Sequence, residues 1–84
     1  MAKHERTLEA IREKRANILW ADIEALLHHL GAEISEGRGS RVRIALKGVR
    51  AVFHRPHPRK ETDRGALASM RRFLQEAGLL EVDE

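Results

Sequence analysis

The stretch GSRVRIALKGVRAVFH, from Gly39 to His54, decides the fold. Val42, Ile44 and Leu46 alternate with Arg41, Arg43 and Ala45, the period of two that a half-buried strand requires. Lys47-Gly48 reads as a tight hairpin turn, a position where the backbone takes φ > 0. Val49, Ala51 and Phe53 then alternate with Arg50, Val52 and His54. The prediction is a hairpin with one face apolar and the other basic. A wet face of this kind is characteristic of antiparallel sheets covered by helices on one side.

The rest of the chain supplies the cover. Upstream, residues 36–40 (EGRGS) form a turn, with two glycines able to take φ > 0, and residues 32–36 read as a short first strand. Leu19, Ile23, Leu26, Leu27 and Leu30 fall at i, i+4, i+7, i+8 and i+11, which predicts a core helix over residues 18–30 stopped by Gly31. Asp22 and Glu24 sit towards its N-terminal end, where the helix dipole favours anions. Residues 3–15 are charged and helix-prone. Leu8, Ile11 and the stem of Arg15 give only a thin apolar stripe, and Thr7 is a candidate cap. Downstream, RPHPRKETDRG is a loop, because two prolines do not fit a central ladder. Asp63 caps a last helix whose stripe is Leu67, Met70, Phe73, Leu74 and Ala77, stopped by Gly78. The expected order is α-α-β-β-β-α, an α+β fold with a three-stranded antiparallel sheet packed on helices.

Eighty-four residues fit one small domain. Residues 1–16 read as an N-terminal helical extension and 17–80 as the core. The chain has no cysteine, which suits a reducing compartment. It shows no apolar h-region at its start and no run near the ~20 residues that span a bilayer. A cytoplasmic protein is expected. The net charge of +3 is mild, but its distribution is not. Residues 38–64 hold nine cations against two anions, a local +7, which leaves −4 for the remainder. A basic middle is the footprint expected for a polyanion; an ordinary solvated sheet face carries the same pattern.

The histidines are the candidate chemical groups. His28 and His29 are adjacent on a helix and do not share a face, so they make a poor metal pair. His54 and His57 stand at i, i+3 with no third or fourth ligand, so neither a metal nor any other cofactor is expected. His57 is held between Pro56 and Pro58 and surrounded by Arg55, Arg59 and Lys60. These cations would favour a neutral imidazole and hold phosphate nearby. This combination of a restrained imidazole and nearby cations suits metal-independent phosphodiester cleavage in which an RNA 2′-hydroxyl attacks. Equally, the prolines would simply end the strand, with His57 packed on a helix. GRGS lacks the ending and following helix of a P-loop, although its amides suit a small phosphate nest and Ser40 lies among them. With Phe53 the lone aromatic residue of the strands, a base-stacking platform is not expected. Recognition of backbone and shape fits better, through Ser40, Arg41, Arg43, Lys47, Arg50, Arg55, Arg59 and Lys60.

These pieces, taken in order, resemble the HicA family of toxins from bacterial type II toxin–antitoxin systems. The resemblance runs over residues 23–79: LLHHLGAEI, the turn GRGS, the strands RVRIAL and VRAVFH, the loop RPHP, KETDRGAL entering the last helix and RRFLQEAGL closing it. It implies a double-stranded-RNA-binding-domain-like α-β-β-β-α fold with an extra N-terminal helix. It also implies binding and cleavage of mRNA that arrests translation, and a HicB-like antitoxin covering the active surface. One position departs from the family pattern. The usual catalytic histidine follows the Gly-Ser of the turn, and here Gly39-Ser40 is followed by Arg41. A guanidinium stays protonated and is no general base, but it binds phosphate and stabilises a pentacovalent transition state. Three readings follow. His57, or secondarily His54, carries the acid/base step of an endoribonuclease. Alternatively, the chain is a catalytically silent module that binds RNA or antitoxin. Thirdly, it joins two proteins through an exposed sheet edge.

Overall fold

The computed structural model describes residues 2–57 and 59–81. The elements run α1 (Lys3–Arg12), α2 (Trp20–His29), β1 (Glu33–Glu36), β2 (Arg41–Leu46), β3 (Val49–His54) and α3 (Arg64–Glu76). The strands form one antiparallel sheet in the order β1-β2-β3. This is the α+β arrangement expected from the hairpin, with helices on one face and solvent on the other.

The period of two sorts the hairpin as its side chains demand. Val42, Ile44, Leu46 and Phe53 are buried, and Arg41, Arg43, Arg50, Val52 and His54 are exposed. Ile34 pairs with Ile44 and continues the inward face onto β1. Lys47 and Gly48 both have positive φ, 49° and 82°, the signature of a type I′ turn whose twist matches the strands. Under the sheet, Ile23, Leu26 and Leu27 of α2 meet Leu67, Met70, Phe73 and Leu74 of α3 in one buried cluster. Phe53 is its aromatic centre. It stands edge-on to Phe73, with centroids 5.9 Å apart, and tilted against Trp20 at 6.1 Å.

All three helices close in the same way. After α2, the amide of Gly31 donates to the His28 carbonyl and that of Ala32 to the Leu27 carbonyl. Gly78 and Leu79 repeat this on Gln75 and Leu74, and Lys14 and Arg15 repeat it on Ile11 and Ala10. These are Schellman closures, and each needs a left-handed residue. Glycine supplies it after α2 and α3. After α1 the position is Lys14, at φ 55°. Asp63 caps α3 as expected, its carboxylate accepting from the Ala66 amide at 2.7 Å. Thr7 does not cap α1. Ala2 occupies that position, and Thr7 is buried a turn inside with its hydroxyl donating to the Lys3 carbonyl. The helix starts upstream of the threonine because Glu5 turns back to the Ala2 amide.

The thin stripe of α1 is enough to dock it. Ile11 is fully buried in the shared core, Lys3 pairs with Asp22, and Arg71 of α3 donates to the Arg12 carbonyl. The rings of His4 and His29 stack, with centroids 4.3 Å apart. The helix ends at Arg12, so the Arg15 stem lies outside the stripe.

Candidate RNA-binding face and its clamp

The outward side of the sheet is ordered in rows by the strand register. Arg41 lies opposite His54; Arg43 lies between Ser35 and Val52; Ala45 lies between Glu33 and Arg50. Successive rows are ~6.8 Å apart, two residues of strand. Ser40 and Lys47 are exposed at opposite ends of β2, in its two turns. Three arginines and one imidazole thus share a single solvated surface. No helix covers it.

The Arg41–His54 row has a particular geometry. The Arg55 amide donates to the Ser40 carbonyl at 2.9 Å, so Ser40 and Arg55 are a bonded pair. The next pair, Arg41 and His54, is therefore of the non-hydrogen-bonded type, in which Cα atoms approach to ~4.5 Å and side chains lie closest. Gly37 completes this end of the sheet. A Cβ there would meet the Arg41 Cβ at 3.0 Å and its carbonyl oxygen at 3.3 Å, so absence of a side chain lets β1 approach Arg41. Of the two turn glycines, Gly39 is the one with positive φ, at 61°.

Arg55 follows His54 and points the other way. Its Nε donates to Oε2 of Glu24 at 2.6 Å, and Nη1 and Nη2 donate to Oε1 and Oε2 of Glu36 at 2.6 and 2.8 Å. Glu24 also accepts from Trp20 Nε1. The guanidinium bridges α2 and β1 and locks the end of β3 between them. Hydrogen bonds from Arg55 hold the Glu36 carboxyl below its usual 4.5, and the two carboxylates push the Arg55 guanidinium still higher. Arg55 is thus occupied by carboxylates and stands apart from the exposed cations of the face.

The loop after Arg55 is tethered to the start of α2. Trp20 donates its amide to the Lys60 carbonyl at 3.0 Å, and Thr62 to that of Ile18 at 2.7 Å. His57, Arg59 and Lys60 are all exposed on this loop, so His57 is not packed against a helix. The expected restraint by Pro58 lies outside the described residues. Among the described residues, no three His, Asp or Glu side chains form a group suited to a metal ion, and no helix is long and apolar enough to cross a membrane.

Sequence reasoning missed the clamp. Glu24 and Glu36 are 31 and 19 residues from Arg55, with no periodicity linking them. The one local signal was the i, i+4 spacing of Trp20 and Glu24, which places an acceptor beside the indole.

A family model described as HicA toxin of bacterial toxin-antitoxin matches residues 20–79, from the first residue of α2 to just past α3. The chain belongs to the HicA toxin family. The expected resemblance is thereby confirmed over most of the chain, and with it membership of a toxin family whose systems include an antitoxin. Helix α1 lies outside the matched residues. No curated protein and no solved structure gave a significant match.

Proposed function

We propose that this HicA toxin binds mRNA on the open sheet face and cleaves it, arresting translation, and that a HicB-like antitoxin neutralises it by covering that face. The observation that carries the reading is the Arg41–His54 row. The resemblance implies a histidine at position 41; this chain has arginine there and an imidazole directly across the strand. This row moves His54, the second choice of the sequence reading, to first candidate for the base, with His57, on the exposed loop, the second. In this reading His54 takes the proton of an RNA 2′-hydroxyl as its oxygen attacks the adjacent phosphorus. The 5′-oxygen leaves with a proton from the His57 imidazolium or from water, giving a 2′,3′-cyclic phosphate and a 5′-hydroxyl. Arg41 stabilises the charge developing on the phosphorane oxygens. Arg43 and Lys47 bind neighbouring phosphates, with Ser40, Arg59 and Lys60 flanking them.

The arginine at position 41 also favours a second reading, a catalytically silent module that binds RNA or antitoxin through the same face. Purified protein incubated with mRNA separates the two. Cleavage to cyclic-phosphate ends, abolished in His54→Ala and weakened at least tenfold in Arg41→Ala, supports the nuclease. Intact RNA that co-purifies with the wild type supports the silent module. Cleavage unchanged in a His54→Ala, His57→Ala double variant refutes both assignments of the base.

A further inference from the structure

One residue of the outward face is out of keeping with the rest. Glu33 is exposed on β1, two strands across from Arg50, with Ala45 between them. Beyond the strand ladder, its side chain forms no ion pair or hydrogen bond among the described residues. A carboxylate on a surface that gathers phosphates weakens that task by repulsion, and nothing in the core requires it. Around it lies a shallow depression of about 430 Å3, floored by Ala45 and Val52 and walled by Glu33, Ser35, Arg43 and Arg50. That size falls among small-ligand sites, roughly 300–1,000 Å3. Val52 is 56% exposed here although it is large and apolar, which suits a surface awaiting a flat partner.

We infer that this depression is a nucleobase subsite selective for guanine, with Glu33 as its reader. The inference rests on the RNA-binding reading above. An ionised carboxylate offers two acceptor oxygens side by side and no donor. On a single strand the Watson–Crick edge of the base is free to be read. Guanine presents two adjacent donors there, N1–H and the N2 amino group. Adenine and cytosine each set one amino donor beside a bare ring nitrogen, whose lone pair would face the second carboxylate oxygen. Uracil flanks its one N–H with carbonyls. Guanine therefore matches both oxygens where the other three leave one opposed. The ~9.6 Å from β1 to β3, two strand spacings, leaves room for a base over Ala45 and Val52. The Arg50 guanidinium closes the far side, placed to stack on the ring or to donate to O6 and N7. This row stands four residues along β2 from Arg41, ~14 Å. The subsite thus reads a base about two nucleotides from the phosphate at the Arg41–His54 row.

The test is fluorescence anisotropy on the full chain with four labelled hexanucleotides. Each is a uridine strand with one central G, A, C or U, built with 2′-O-methyl groups so that no 2′-hydroxyl is left to attack. Wild type is expected to bind the G strand roughly tenfold more tightly than the others. In Glu33→Gln that preference falls to about twofold or less, while binding of the A, C and U strands is kept or strengthened, because a repulsive charge is gone. Equal affinity for all four strands in wild type overturns the subsite. So does an equal gain for all four in Glu33→Gln, which would make Glu33 a charge and not a reader. Arg41→Ala, on the same face but outside the depression, reports on the underlying reading by weakening all four strands together. If wild type binds none of them, the RNA-binding face itself is wrong and the subsite falls with it.

Discussion

Replacing Glu24 by glutamine tests whether the Arg55 bridge holds the His54 end of the hairpin. Glutamine is isosteric. Its carbonyl oxygen, placed where Oε2 lies, still accepts from Trp20 Nε1 and from Arg55 Nε, while an amide NH2 replaces Oε1, so the charge and one acceptor facing Arg55 Nη2 are lost. The side chains of Glu24 and Arg55 are 21% and 31% exposed, between a surface pair and a buried one. A hydrogen bond to a charged group contributes ~1.5–3 kcal/mol and a neutral one ~0.5–1.5. The difference, ~1 kcal/mol, is the expected loss, and Glu36 still holds the other edge of the guanidinium. For a domain of this size that lowers Tm by ~4–8 °C. Trp20 is the only tryptophan and lies in the clamp, so its fluorescence follows urea unfolding directly. The midpoint should fall with the m-value unchanged. Glu24→Gln combined with Arg55→Met should cost less than the two single losses added, because the partners share one interaction. A loss under ~0.3 kcal/mol in Glu24→Gln, or strict additivity of the pair, would refute the clamp. The pH dependence follows in sign. Glu36 has its folded value depressed below 4.5, so its contribution is complete above that pH and is lost as pH falls through the lower folded value. The advantage of wild type over Glu36→Gln should therefore shrink below about pH 4.5 and stay level from pH 5 to 7.

Lys14→Gly should raise stability by ~0.5–1 kcal/mol in urea titration, since Lys14 holds a left-handed position that glycine takes without a Cβ penalty. Gly37→Ala should cost ~1–2 kcal/mol by the same assay and weaken RNA binding, because its Cβ would displace Arg41. Lys47→Asn keeps the type I′ turn, so Tm should hold or rise while the slope of log affinity against log salt falls by about one phosphate contact. Arg55→Lys should leave that salt slope unchanged and lower Tm, in contrast to Arg43→Ala, which should do the reverse.

The strands, the helices and the caps at Asp63, Gly31 and Gly78 were legible because each rests on residues close in sequence. Alternation over Arg41–Leu46 and Val49–His54 has a single burial solution, and Lys47-Gly48 has few turn geometries to choose from. Thr7 misled because capping residues also occur inside helices, bonding back to a carbonyl one turn earlier. Arg55 was ambiguous for a different reason. Its charge and its place in RPHP are local facts, and they match a phosphate ligand and a structural bridge equally well.

By itself, then, the sequence determined which residues turn inward, where the chain reverses and that the wet face would be basic, since side-chain period and turn chemistry are properties of short segments. The tertiary structure alone decided the cross-strand company. It set His54 against Arg41, drew Arg55 away to Glu24 and Glu36, buried Ile11 of the first helix, and left the Glu33 side chain exposed in the row of Arg50. Those outcomes depend on register and on contacts between residues tens of positions apart, where no local pattern constrains the pairing.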